Sequence, residues 1–162
     1  MRIALASDHR GHTVKEQILA LLGEQGHQVM DVGSNSSRSC DYPDSAYLAA
    51  KAVADARVDC AILICGSGIG MTICANKVAG VRAALCHDEL TAQMARHHNN
   101  ANALCLASDV MGEDLIRRVV DRWLNTKFEP GGRHERRVRK ITWIERGLNP
   151  GEYNEQNGLS AD

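Results

Sequence analysis

The chain has 162 residues and a formal net charge of −1 with histidine taken as neutral. This length suits one domain with a sizeable core, and the balanced charge gives no general attraction to nucleic acid or to a membrane surface. No apolar run approaches the roughly 20 residues that span a bilayer, and Asp8 makes the N-terminus acidic too early for a secretory signal. We therefore expect a cytoplasmic protein without nucleic-acid or membrane partners.

In chain order, the hydrophobic pattern predicts strands that alternate with helices. The predicted elements are strand 2–7, helix 13–25, strand 28–32, helix 45–56, strand 59–64, helix 71–77, strand 82–86, helix 88–97, strand 103–107, helix 112–125 and helix 134–146. Pro43 suits a first helical turn, and Asp88 is placed to cap a helix. This alternation predicts an α/β fold, a Rossmann-like three-layer αβα sandwich with a five-stranded parallel sheet and an extra C-terminal helix. Residues 1–147 are predicted to form one domain, and the polar tail 148–162 to be disordered.

The cysteines point to free thiols rather than to disulfides or a metal site. There are six, and five of them fall in or beside apolar segments without the paired spacing of zinc ligands: Cys60, Cys65, Cys74, Cys86 and Cys105. Reduced thiols are typical of cytosolic proteins. We therefore expect no structural metal.

Ligands of parallel sheets bind outside the carboxyl ends of the strands. The loops after the first, third, fourth and fifth strands hold Asp8-His9, Cys65-Gly66-Ser67, His87-Asp88 and Ser108-Asp109. Because these strand ends share one edge of the sheet, we expect the functional site there.

The glycine-rich loop after the third strand, Cys65–Met71, is the strongest single motif. Free backbone N–H groups in such a loop favour an anion, and the same field favours the thiolate of a cysteine at its mouth. Three other interpretations remain open from the residues alone. The loop could be a dinucleotide fingerprint, with Asp88 as the ribose-binding acid 20 residues after Gly68; it could be a structural turn; and Cys65 could be an inert buried thiol. A thiol-redox protein is less favoured because the chain has no C-x-x-C pattern.

Two basic features lie outside this loop. Arg133 and Arg137 are four residues apart on a predicted helix and could grip a phosphate, although a basic run such as 133–140 is usually a solvated helix face. Histidines 97 and 98 end another predicted helix, where they could merely complement its dipole.

Six motifs together resemble the ribose-5-phosphate isomerase B family. In order they are Ser7–Gly11, Asp41-Tyr42-Pro43, Ile64–Gly70, Ala75-Asn76-Lys77, His98–Asn102 and Gly131–His134. Their order and spacing agree from residue 1 to about residue 146, so the resemblance covers everything except the tail. The wider family includes isomerases of allose 6-phosphate and galactose 6-phosphate.

The resemblance implies an aldose–ketose isomerase that acts on ribose 5-phosphate through an enediolate, without a metal or organic cofactor. It implies that Cys65 is the base, that His98 opens the furanose ring and that Ser67 hydrogen-bonds near the reacting carbons. The implied substrate-binding residues are Asp8, His9, Tyr42, Gly66, Gly68, Ile69, Gly70, Asn99, Arg133 and Arg137. Of these, His9, Arg133 and Arg137 would hold the phosphate. It also implies a homodimer or homotetramer with the site between two subunits.

Two departures from the family pattern bear on this assignment. Some relatives use a glutamate base at the position of Met71, which cannot take a proton, and this favours Cys65 as the base. Many relatives carry a phosphate-binding arginine where this chain has Asp109. A carboxylate there would repel a phosphate unless it turns away or pairs with Arg133 or Arg137. Another aldose, such as allose 6-phosphate or an unphosphorylated sugar, is therefore the alternative substrate.

Overall fold

The computed structural model describes residues 1–154, which form an α/β sandwich of three layers. The strands are β1 (Arg2–Ser7), β2 (Gln28–Asp31), β3 (Cys60–Cys65), β4 (Ala83–Leu85) and β5 (Ala103–Ala107). The helices are α1 (His12–Glu24), α2 (Tyr42–Ala54), α3 (Ile69–Ala75), α4 (Glu89–Asn99), α5 (Glu113–Asn125) and α6 (Gly132–Glu145). The predicted fold class, with its C-terminal sixth helix, is confirmed.

All five strands run parallel, in the order β2-β1-β3-β5-β4. Every residue of β3 and of β5 is buried. Both strands consist only of apolar residues, as expected where helices cover both faces of a parallel sheet. Side chains of α1, α4 and α5 pack on one face, and those of α2 and α3 on the other.

Four helices, α1, α2, α3 and α6, begin one to three residues earlier than the sequence pattern predicts, and two of these shifts bear on the site. Helix α2 begins at Tyr42 rather than Ser45, because Pro43 has the backbone angle of a first helical turn and is included in the helix. Helix α3 begins at Ile69 rather than Met71, directly after Gly68 in a left-handed conformation. Both shifts bring the helix start closer to the end of the sheet that carries the glycine loop.

The predicted tail begins with a short 3-10 helix, Pro150–Glu152. The next residue, Tyr153, is buried, and its ring meets that of Trp143 edge to face with 5.2 Å between centroids. Residues 155–162, the remainder of the predicted tail, lie outside the described residues. Within residues 1–154, no helix is both long and apolar enough to cross a membrane.

The strand order determines which loops meet. The chain passes from β1 outward to β2 and then returns to β3 on the other side of β1, which creates a switch point between β1 and β3. In the register, Ser7 lies beside Ile64, and Cys65 beside Ala107. The loops after β1, β3 and β5 therefore lie side by side, whereas the loop after β4 lies at an edge of the sheet.

Candidate active site

The thiol of Cys65 lies at the end of β3, where it is held by the loop that follows. Its side chain is buried, and the backbone N–H of Gly68 donates a hydrogen bond to Sγ at 3.1 Å. The loop reaches this geometry because Gly68 has φ of 73°, which only glycine adopts readily. The amide N–H holds the sulfur at the mouth of the cavity, where a base or a nucleophile could reach a ligand.

A cavity of about 280 Å³ opens at this thiol. It is lined by Asp8, Arg10, Tyr42, Cys65, Gly66, Ser67, Gly70 and Asp109. These residues come from the loops after β1, β3 and β5 and from the starts of α2 and α3. The cavity therefore lies at the switch point of the sheet, where the parallel topology favours a ligand.

Asp8 is a buried carboxylate at the edge of this cavity, compensated by the backbone. Its Oδ1 accepts hydrogen bonds from the N–H groups of Arg10 at 2.9 Å and of Gly11 at 3.0 Å. His9 is held by the backbone of Cys40, with Nδ1 3.2 Å from its carbonyl oxygen. His9 lies next to the cavity-lining residues in sequence but is not itself among them.

The predicted residues of the glycine loop differ in their placement. Gly66, Ser67 and Gly70 line the cavity, and the ring of Tyr42 lies against Gly70. Gly68 serves the thiol through its amide, and the side chain of Ile69 is exposed. Met71, which occupies the position of the alternative base, is fully buried among the helices α2 and α3 and the sheet.

Asp109 pairs with Arg10, which corrects the two arrangements expected from the sequence. Both Nε (2.6 Å) and one Nη (2.5 Å) of Arg10 approach Oδ2 of Asp109. The carboxylate neither turns away nor meets Arg133 or Arg137. The hydrogen bond and charge of Asp109 raise the pKa of Arg10, so that guanidinium remains charged. Sequence reasoning missed Arg10, although its position directly after Asp8-His9 at a strand end was a usable signal.

The other predicted residues form a separate group at the ends of α4 and α6. The rings of His98 and His134 stack in parallel, with 4.2 Å between their centroids. Desolvation, followed by the charge of His98 and nearby arginines, lowers the pKa of His134. Arg133 and Arg137 are exposed on α6, and Asn99 lines a different cavity between α3, β4, α4 and α6. Within residues 1–154, none of His98, Asn99, Arg133 and Arg137 lines the Cys65 cavity.

The remaining buried thiols are chemically unsuited to act as bases. Burial raises the pKa of Cys60 and Cys105 to about 12 and that of Cys86 to about 11. All six cysteines lie within the described residues and are free. In the same part of the chain, no group of three or more His, Cys, Asp or Glu side chains is arranged to hold a metal ion.

Asp88, the acid of the dinucleotide interpretation, is engaged elsewhere. Its carboxylate accepts a hydrogen bond from the N–H of Thr91 at 2.7 Å and caps α4. The predicted capping role is confirmed.

Known proteins resemble this chain over most of its length. The ribose/galactose isomerase family profile matches residues 3–141. Ribose-5-phosphate isomerase B of Escherichia coli is 47% identical over 148 residues, which cover 91% of this chain and 99% of that protein.

Two solved structures are similar in fold as well as in sequence. Ribose-5-phosphate isomerase B of Clostridium thermocellum superposes with a TM-score of 0.89 at 45% identity, covering 91% of this chain and 99% of that one. The Mycoplasma genitalium ribose-5-phosphate isomerase B, solved with bound ribulose 5-phosphate, gives a TM-score of 0.85 at 45% identity, covering 90% of this chain and 96% of that one.

Proposed function

Because the chain belongs to the ribose/galactose isomerase family, we propose that it interconverts ribose 5-phosphate and ribulose 5-phosphate, with Cys65 as the base. The activity is that of an aldose–ketose isomerase. The observation that carries the assignment of the base is the hydrogen bond from the Gly68 amide to Sγ of Cys65, in a cavity of about 280 Å³ at the switch point of the sheet.

The chemistry at Cys65 is a proton transfer between neighbouring carbons. The thiolate removes the proton from C2 of the open-chain aldose, and the electron pair of the C–H bond forms the C1=C2 bond of a cis-enediolate, with negative charge on O1. The thiol then returns the proton to C1, and the hydroxyl proton moves from O2 to O1, which leaves the ketose. No electrons leave the substrate, so the step requires no redox cofactor.

The negative charge of the enediolate needs nearby donors. The backbone N–H groups of residues 66–70 and the hydroxyl of Ser67 belong to the loop that follows the thiol and would hold the developing oxyanion. Preorganised donors of this kind each contribute roughly 3 kcal/mol to lowering a barrier. Asp8 and Tyr42, which line the same cavity, would contact the sugar hydroxyls.

The complete site is proposed to form between two copies of the chain. His98 and Asn99, with Arg133 and Arg137, carry the groups suited to ring opening, enediolate binding and phosphate binding, yet they lie outside the Cys65 cavity of their own chain. A homodimer, or a homotetramer built from such dimers, would bring this group of one subunit to the cavity of another. His9 would complete the phosphate contacts.

The proposed base is tested by Cys65→Ala, assayed for ribulose 5-phosphate formation. We expect kcat/KM to fall at least about a hundredfold, the lower end of what a positioned base contributes. Cys74→Ala, a half-buried cysteine of α3 outside the cavity, is the matched control and should stay near wild-type activity. Full activity in Cys65→Ala would refute the mechanism.

The substrate is tested by a panel of pentose and hexose phosphates beside the free sugars. We expect ribose 5-phosphate to give the highest kcat/KM, with activity unchanged by a chelator. A preference for allose 6-phosphate or for an unphosphorylated sugar would support the isomerase reaction but refute ribose 5-phosphate as the substrate. The same panel should protect the protein from thermal unfolding, whereas NAD or AMP should not.

The free thiols of all six cysteines support a cytoplasmic location, because reducing compartments keep such thiols unpaired.

A further inference from the structure

We propose that Arg10 determines the preference of this site for phosphorylated sugars, by neutralising Asp109 and binding the anionic substrate with its remaining N–H groups. This inference rests on the proposed function, since it concerns the substrate of the same cavity. It assigns a role to a residue that lies within the Ser7–Gly11 motif but had no expected function.

The wall of the cavity carries more carboxylates than cations. In the described part of the chain, the residues lining the cavity comprise two carboxylates, Asp8 and Asp109, and one cation, Arg10. Deprotonation of Cys65 adds a further negative charge. Without Arg10, the part of the cavity contributed by this chain would carry only negative charge and would repel an anionic sugar phosphate.

The Arg10–Asp109 ion pair lies close to the reactive loop. The guanidinium and carboxylate lie over the backbone of Gly66, the residue next to the catalytic thiol. A Cβ added at Gly66 would lie 2.8 Å from Nε of Arg10 and closer still to Oδ2 of Asp109. The backbone N–H of Asp109 also donates to the carbonyl oxygen of Gly66 at 3.0 Å. The charges of the pair are therefore held against the floor of the cavity.

The ion pair uses only part of the hydrogen-bonding capacity of the Arg10 guanidinium. Asp109 uses one oxygen, Oδ2, to accept from Nε and from one Nη of Arg10. A guanidinium has five N–H bonds in a rigid fork that matches phosphate oxygens. Within residues 1–154, no further acceptor is bonded to this guanidinium, so its other N–H bonds are available to a ligand. Asp109 thus orients the side chain while leaving it able to bind.

A stability role is the competing explanation, and the exposure of the pair argues against it. The side chains of Arg10 and Asp109 are 57% and 39% exposed. Ion pairs this exposed contribute little to the free energy of folding. We therefore expect the pair to affect ligand binding in the adjacent cavity rather than the stability of the fold.

The test compares Arg10→Gln with Asp109→Asn. Both variants break the same ion pair, but the first leaves an uncompensated carboxylate and the second an uncompensated guanidinium. We expect Arg10→Gln to raise KM for ribose 5-phosphate about tenfold with kcat changed less than about threefold. Asp109→Asn keeps a side-chain oxygen that can still accept from Arg10 and removes the repelling charge, so its KM should be no higher than that of the wild type. The double variant should lie between Arg10→Gln and the wild type. The effect of Arg10→Gln should shrink as ionic strength rises.

Two controls separate charge from structure. Arg2→Gln breaks an Arg2–Asp59 ion pair of similar exposure, with 2.6 Å between Nη and Oδ1. This pair lies at the amino ends of β1 and β3, away from the cavity, so the variant should leave KM unchanged. Free D-ribose, assayed with Arg10→Gln and the wild type, should show no difference in kcat/KM between them. Equal increases of KM in Arg10→Gln and Asp109→Asn, or an equal loss on D-ribose and ribose 5-phosphate, would overturn the proposal.

An inactive wild-type protein would overturn the proposed function but not this inference, which has a second readout. Inorganic phosphate should raise the thermal unfolding temperature of the wild type and of Asp109→Asn more than that of Arg10→Gln. The same increase in all three would refute a role for Arg10 in anion binding, whatever the reaction.

Discussion

The amide of Gly68 is the one backbone donor within hydrogen-bonding distance of Sγ of Cys65 in residues 1–154. It points at the sulfur because Gly68 has φ of 73°, and a Cβ there would collide with Cδ1 of Leu85 and lie 3.1 Å from the backbone of Leu106. One small residue therefore links the turn of the chain to the position of the thiol.

Gly68→Ala should accordingly lose both stability and activity. A left-handed conformation costs an L-residue roughly 1–2 kcal/mol, and the displaced amide should lower kcat/KM at least about tenfold. Gly80→Ala is the control, because Gly80 has φ of 82° and open space around its Cβ. It should lose only the cost of the left-handed conformation in urea, less than Gly68→Ala loses, and keep its kcat/KM. Wild-type kcat/KM in Gly68→Ala would show that the amide does not serve the thiol.

Helix α4 is capped at its first turn and carries proposed site residues at its last turn. Its first turn is closed by a capping box, in which the Asp88 carboxylate accepts from the N–H of Thr91 and the Thr91 hydroxyl reaches the Asp88 backbone. Its last turn carries His98 and Asn99. The cap therefore fixes the end of the helix that lies far from the proposed catalytic groups.

The cap predicts a dependence of stability on pH. The hydrogen bond from the Thr91 amide lowers the pKa of Asp88 below its ordinary value of 3.8. A carboxyl with a lower pKa in the folded state stabilises the fold above the unfolded pKa, and this contribution is lost as pH falls through the folded pKa. Asp88→Ala should thus unfold at lower urea than the wild type at neutral pH, and the difference should vanish in acid.

Asp88→Asn is the matched variant, because asparagine also caps helices but does not titrate in this range. It should remain closer to the wild type at neutral pH than Asp88→Ala does. A difference between Asp88→Ala and the wild type that persists unchanged into acid would contradict a charge-dependent cap.

For the whole molecule, the separation of the proposed site residues into two groups has a direct consequence. If each site combines the Cys65 cavity of one subunit with the His98 group of another, two defective chains can complement each other. In a two-fold dimer of Cys65→Ala with His98→Ala, one site carries both defects and the other carries none.

Coexpression of Cys65→Ala and His98→Ala should therefore recover about one quarter of wild-type activity, because half of randomly paired dimers are mixed and each has one intact site. Cys65→Ala mixed with Ser67→Ala is the control, since both changes lie in the same loop and every site then has a defect. No recovery in the first mixture would place the complete site within a single chain.

The amino-acid sequence by itself determined the secondary structure and the class of fold. The signals were local: the apolar runs of β3 and β5, the alternation of strands and helices, and the capping residue Asp88. Such signals can be recognised in the sequence because backbone geometry and the periodicity of burial are set over a few neighbouring residues. The motif around Cys65 likewise identified the reactive loop.

Only the tertiary structure decided which loops meet and which charges are paired. The order β2-β1-β3-β5-β4 brings the loops after β1, β3 and β5 together and leaves that after β4 at the edge. The same order pairs Arg10 with Asp109, 99 positions apart, and leaves His98 outside the Cys65 cavity. Charge pairing depends on distance in space, and positions so far apart along the chain have no local pattern that reveals it.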